Sequence, residues 1–194
     1  ARTLADAVNG ADVFLGCSAP GVLTAEMRES TVGGSAEDVM AIVYADLGLA
    51  REPAAFAAEI DWLHDYVGEL FAAGLPWQAG ARELLEALSA AGVPMALVTN
   101  TRRDLTEQAL NSIGRQYFSA TVCGDEVPRG KPAPDIYRRA AELIDVPIGD
   151  CLAIEDSVAG TTAAEAAGCP VVVVPQDVAV PESPRRRHLP TLAA

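Results

Sequence analysis

Apolar residues recur with two different periods along this chain, and the change of period divides it. Over residues 22–74 the spacing is helical throughout. Ser35 with Asp38 three positions later has the form of a capping box, and the helix it opens carries Val39, Ile42, Val43 and Leu47 before Gly48. Pro53 suits the first position of a second helix, which carries Phe56, Ile60, Leu63, Val67, Leu70 and Phe71 along one face before Gly74. Trp62 and Tyr66, one turn apart, read as helix packing rather than as a binding box. After Gly74 the rhythm shortens: helix over 81–91, strand over 93–98, a helix holding 105–113, strand over 120–123, and a helix over 135–143. Strands alternating with helices of this length predict a layered α/β domain. The helical stretch of 22–75 then reads as a cap ahead of a core over 76–180, with a proline-rich tail over 181–194 and a separate strand segment over 1–21.

The core is organised around residues 151–160, CLAIEDSVAG. Cys151, Leu152, Ala153 and Ile154 form a short apolar run and predict a buried strand, with Glu155 and Asp156 at its carboxyl end. Ser157 is a suitable N-cap for a helix reaching about Ala167, Gly168 can close that helix in the left-handed conformation, and a strand over 170–174 follows. Such a strand, helix, strand unit fits a parallel sheet with a right-handed crossover, in which ligands gather beyond the carboxyl ends of strands. Two adjacent carboxylates there are hard oxygen donors of the kind Mg²⁺ takes alongside waters and a substrate phosphate. They also read as an acidic helix start that favours the helix dipole.

Charge and cysteine usage narrow the partners. With 27 acidic against 14 basic residues the net charge is -13, which excludes a nucleic acid held through phosphate contacts but not a small phosphorylated metabolite. No run approaches the ~18 apolar residues of a membrane span, so no membrane partner is expected. Of Cys17, Cys123, Cys151 and Cys169, three lie in or beside predicted core strands and none has metal-knuckle spacing. Buried, reduced thiols are expected, which fits a cytoplasmic setting. The run Arg185, Arg186, Arg187 reads as a solvated end.

Two further strand ends carry chemistry. The strand over 93–98 delivers Thr99, then Asn100 and Thr101. A hydroxyl and a nearby backbone amide there can hold phosphoryl oxygens, and can equally cap the helix that starts near Arg102. In Gly130-Lys131-Pro132-Ala133-Pro134-Asp135 the lysine is locked between glycine and proline, a placement suited to neutralising an anionic phosphate or carboxylate.

Taken together, VTNT, GKPAPDIY and AIEDSVAG resemble, in order and spacing, the second, third and fourth motifs of the haloacid dehalogenase-like hydrolases with a small helical cap. The resemblance runs from about Val32 to the tail. It implies a three-layer, Rossmann-like core with a parallel sheet, a shortened cap, and a Mg²⁺-dependent phosphatase or related phosphoryl-transfer activity. It further implies that Thr99, with Asn100 beside it, binds the phosphoryl group, that Lys131 neutralises it, and that Glu155 and Asp156 hold the metal directly or through water.

The resemblance stops at the first motif, where the family carries Asp-x-Asp-Gly-Thr at a strand end. Here the strand over 12–17 ends in Leu15-Gly16-Cys17-Ser18, so that Gly16 falls at the nucleophile and Ser18 at the acid/base position. Asp12 stands at the other end of that strand, and Cys17 would face the opposite side. About the first 29 residues resemble instead a segment of the malic enzyme dinucleotide-binding domain, without any glycine-rich phosphate loop, so NAD binding is not expected. The expectation is a phosphatase body impaired in turnover, with a non-catalytic binder of a phosphorylated metabolite as the rival reading and an NAD-binding fragment as a third.

Overall fold

The protein is described by a computed structural model covering residues 33–174 and 179–193. The predicted strand over 12–17 with Gly16, Cys17 and Ser18, and the malic enzyme-like segment, lie outside the described residues.

The helical stretch forms a pair. In α1 (Ala36–Asp46) the expected capping box is present: the Ser35 hydroxyl accepts from the Asp38 N–H, and the Asp38 side chain reaches back to the Ser35 backbone. Helix α2 (Pro53–Ala73) begins with proline at its first position and buries Ile60, Leu63 and Val67. Leu70, expected on that buried face, is 42% exposed, while its neighbour Phe71 packs against the cluster instead. Met40 and Tyr44 of α1 complete this apolar cluster, and Leu105 of the helix over 103–113 enters it, so the pair is seated on a helix that itself packs on the strand over 120–123. Trp62 and Tyr66 stack on each other with ring centroids 5.8 Å apart, and Trp62 is largely outside the cluster.

The remainder alternates: α3 (Ala81–Ala90), β1 (Ala96–Thr99), α4 (Arg103–Ile113), β2 (Ala120–Cys123), α5 (Asp135–Leu143), β3 (Ala153–Glu155), α6 (Val158–Ala167), β4 (Val171–Val173) and β5 (Arg186–His188). All strand pairs are parallel: β1 with β2, β3 with β4, and β4 with β5. Helix α5 packs on β1, β2 and α6, while α6 packs on β3 and β4. One apolar cluster therefore underlies both groups of strands, with Val122, Ala153, Val171 and Val173 meeting Ile136, Ala140 and Ala164, and with Ala96 and Val98 against it. This is the expected parallel, Rossmann-like α/β arrangement. Among the described residues the strands form two pieces rather than one sheet, with no strand hydrogen-bonded between β1 and β3.

Two expectations change. The strand over 151–154 is shorter and only half-buried: Ala153 and Glu155 face inward, whereas Leu152 and Ile154 are 62% and 43% exposed, as strand alternation requires when one face is uncovered. The solvated tail is also not solvated throughout. Arg186–His188 adds β5 to the sheet beside β4, and the Thr191 hydroxyl then reaches the Ala79 carbonyl at 3.3 Å. Charged side chains hide this strand from a hydropathy reading, because Arg186 finds an acidic partner on α6.

Candidate active site

The site residues arise from three loops at the carboxyl ends of β1 and β3 and ahead of α5. Thr99 ends β1, and its hydroxyl accepts the Thr101 N–H at 3.1 Å within its own turn; it does not cap α4, whose first N–H, on Arg103, is met by Asp125 at 3.0 Å. Asn100 follows and uses its side-chain amide on backbone. Its Nδ2 donates to the Gly33 and Lys131 carbonyls at 2.8 and 2.9 Å, and its Oδ1 accepts the Lys131 N–H at 2.7 Å. Expected as a substrate ligand, Asn100 acts in this structure as the latch that holds the lysine loop against the end of β1.

That latch also fixes the entry to the helical pair. Gly33 has φ of 81°, and a Cβ there would stand 2.7 Å from the Ser157 hydroxyl, so only glycine passes this point without strain. Gly33 thus bridges Asn100 beyond β1 and Ser157 beyond β3.

Lys131 and Glu155, far apart in sequence, meet in a buried ion pair with Nζ 2.5 Å from Oε1; their side chains are 9% and 6% exposed. Tyr137, in the first turn of α5, donates its hydroxyl to the same Oε1, and its ring lies under Lys131 with Nζ 5.4 Å from the centroid. Burial and then the Glu155 charge push the Tyr137 hydroxyl far above its ordinary range, so it stays a donor. Oε2 of Glu155 lies 3.5 Å from the Ser157 hydroxyl, which caps α6 by accepting the Gly160 N–H at 3.0 Å. Gly160 lets the carboxylate settle on the first turn of α6: a Cβ there would occupy the position of Oε2.

Asp156 sits beside this pair with part of its side chain open to solvent and its carboxyl partly desolvated by the neighbouring groups. Burial, together with the Glu155 charge, raises its carboxyl above the ordinary range, and Lys131 pulls the other way. The structure brings together four of the five predicted residues, Asn100 with Lys131, Lys131 with Glu155, and Asp156 beside them, while the Thr99 hydroxyl bonds within its own turn. Tyr137 and Gly160 were missed from sequence. The available signal was that a tyrosine at a core-facing position of α5 needs a hydroxyl partner.

Beside these groups opens a cleft of about 780 Å³ between the start of α1 and the two loops, lined by Ser35, Asp38, Asn100, Arg102, Arg129 and Lys131 among others. Its arginines are oriented by acids: Arg129 pairs with Asp135 at 3.0 Å and Arg102 with Asp104 at 3.4 Å. The lining sets Arg102, Arg129 and Lys131 against Glu37, Asp38 and Asp125, so an anionic ligand would meet cations there beside acids rather than a uniformly positive wall. Among the described residues Cys123 and Cys169 are buried free thiols and Cys151 is a half-buried one, and burial pushes Cys169 up to about 11.

Comparison with known proteins identifies the arrangement. The sequence profile of the haloacid dehalogenase-like hydrolases matches residues 8–168. The chain belongs to that family. Among curated relatives, a bifunctional riboflavin kinase/FMN phosphatase of Arabidopsis thaliana is 41% identical over 116 residues, covering 59% of this chain and 29% of that protein. A phosphoglycolate phosphatase of Thiobacillus denitrificans is 34% identical over 138 residues, covering 71% and 61%. The chain therefore spans less than two thirds of the length of either relative. Among solved structures, CbbY of Rhodobacter sphaeroides in complex with xylulose-(1,5)bisphosphate superposes with a TM-score of 0.71 at 27% identity, covering 87% of this chain and 77% of that one. A β-phosphoglucomutase of Clostridium difficile has the same fold, with a TM-score of 0.71 at 19% identity over 79% and 70% of the two chains. Haloacid dehalogenase-like relatives of this chain thus include phosphatases of small phosphorylated metabolites.

The donor set fits Mg²⁺ in one specific sense. Among the described residues no group of three or more His, Cys, Asp or Glu gathers to hold a metal. Glu155 and Asp156 supply two adjacent carboxylates, which is the protein share Mg²⁺ accepts when waters and a phosphate complete its shell. Among the described residues no helix is long and apolar enough to cross a membrane.

Proposed function

We propose that this chain binds a small phosphorylated metabolite together with Mg²⁺, and that its phosphoryl transfer is severely impaired. The observation that carries the reading is the buried Lys131–Glu155 pair, which holds a cation and a carboxylate beside Asp156 at the end of β3. Lys131 neutralises the bound phosphoryl group, and Thr99 and the adjacent backbone receive its oxygens once the Thr101 N–H is shared. Glu155 and Asp156 hold the Mg²⁺. When bound, the ion screens phosphoryl charge and orients the ester. The helical pair serves as the cap, and the cleft bordered by Ser35, Asp38, Arg102 and Arg129 receives the leaving group of the ester.

Impairment follows from the sequence over residues 12–18, aligned with the family's first motif. In-line attack on phosphorus needs a positioned nucleophile, and Gly16 offers no side chain at that place. The known substrates of relatives, phosphoglycolate among them, set the size class rather than the identity of the ligand.

Hydrolysis of p-nitrophenyl phosphate with Mg²⁺, by the parent and by a Gly16→Asp, Ser18→Asp double variant, tests this. The expected result is turnover in the variant alone. Turnover in the parent would show that the chain has a nucleophile elsewhere. Calorimetry of the parent with Mg²⁺ and inorganic phosphate is expected to show binding; absence of heat would leave the site a folded remnant.

A further inference from the structure

Lys131 is the single lysine of the sequence, and the structure surrounds it with more than its carboxylate. The Tyr137 side chain touches both members of the pair: its ring faces Nζ at 5.4 Å and its hydroxyl donates to Oε1 of Glu155, the oxygen that Nζ also meets. Tyr137 is itself 8% exposed and belongs to the main apolar cluster, where Ile136 and Ala140 of α5 hold it. One oxygen of Glu155 thus takes both donors, while Oε2 faces the Ser157 hydroxyl at 3.5 Å and the first turn of α6 at Gly160. A phenylalanine would fill the same volume without holding that carboxylate, so the hydroxyl does something packing does not require.

We infer that Tyr137 is a positioning residue: it clamps Lys131 and Glu155 as one preset unit and turns Oε2 of Glu155 toward the place beside Asp156 where a divalent cation binds. The inference rests on the metal reading given above. Rigid support of this kind acts through the ligands, since outer partners of metal-binding carboxylates fix their orientation. The ring contributes separately, by a cation–π contact that keeps the ammonium seated when no anion is bound.

Because the chain has one lysine, its acetylation by acetic anhydride, read on the Lys131 peptide by mass spectrometry, reports the pair directly. In Tyr137→Phe, acetylation is expected to run roughly tenfold faster, the factor that follows from losing one hydrogen bond to a charged group. Alkylation of the buried Cys123 and Cys169 in the same samples serves as the control for general loosening and is expected to stay at the parent rate. The dissociation constant for Mn²⁺, followed by electron paramagnetic resonance, is expected to rise about tenfold in the variant. Parent-like acetylation, acetylation that rises only in step with cysteine alkylation, or a parent-like Mn²⁺ affinity would each overturn the assignment. A parent that binds no Mn²⁺ would instead defeat the metal reading, and the acetylation comparison would still decide whether Tyr137 holds the pair.

Discussion

A charge buried beside Tyr137 is tolerated only because another charge answers it. With Lys131 and Glu155 both under a tenth exposed, removing one partner leaves the other desolvated without compensation, and such losses amount to about 3–5 kcal/mol. Lys131→Met should therefore destabilise the fold strongly, while the Lys131→Met, Glu155→Leu double variant should recover much of the loss, since apolar replacement of a whole buried pair is often neutral. Urea melts of the two single variants, the double variant and the parent measure this directly; additive losses would mean that the ion pair is not the unit of stability. At this scale the sequence was legible where backbone constraint betrayed a role. Lys131 between glycine and proline and the adjacent acids after an apolar run both pointed to the site. Asn100 was legible as a site position but not as a latch, because its partners are carbonyls at Gly33 and Lys131 that no spacing reveals.

Helices and strands were read well wherever an apolar face meets the core. The bounds of β2 and α5 agree with the periodicity, and the caps at Ser35 and Ser157 form as their side chains suggested. What periodicity does not carry is the way α4 is fastened to β2. Arg103, the first residue of α4, donates to both oxygens of Glu126 at 2.8 and 2.6 Å and to the Thr121 hydroxyl and carbonyl at 2.6 and 2.9 Å. Its backbone N–H is capped by Asp125 at 3.0 Å, and Glu126 in turn accepts the Cys123 N–H at 2.9 Å. The Arg103 bond, more than any other effect, holds the Glu126 carboxyl below its ordinary range. A planar fork makes these contacts at once, and an ammonium cannot. Arg103→Lys is expected to cost about 1–2 kcal/mol through lost charged hydrogen bonds. For a chain of this size that lowers Tm by roughly 2–8 °C. A Tm equal to the parent's by differential scanning calorimetry would show that positive charge alone secures the joint.

Across the whole molecule, one apolar cluster joins the helical pair to Leu105 of α4 and another underlies the strands, and the chain closes on itself through a segment that looked like a loose end. After β4 the chain returns as β5, where Arg186 donates to Glu165 of α6 at 2.8 Å with 9% and 19% of the two side chains exposed, and the Ser183 hydroxyl donates to the other oxygen at 2.7 Å. Arg185 adds a bond to the Gly168 carbonyl at 2.9 Å, at the end of the same helix. Hydropathy misses this closure because its strand is built on arginines whose acidic partner lies on another element. The bond from Arg186, and secondarily that from Ser183, draws the Glu165 carboxyl below its ordinary value. A carboxyl depressed on folding binds fewer protons in the native than in the unfolded chain at mildly acidic pH. Its contribution is therefore complete above the unfolded value and is lost as pH falls through the folded one. Arg186→Gln should accordingly lower Tm at pH 7, and the gap from the parent should narrow as pH is lowered through about 4.5 toward 3, where Glu165 is neutralised in both. Thermal melts of the two proteins across that range decide the matter. A gap that holds constant with pH would assign the closure to strand pairing between β4 and β5 and to packing, with the ion pair adding nothing; a gap that narrows makes the arginine-rich end an acid-sensitive clasp on the sheet.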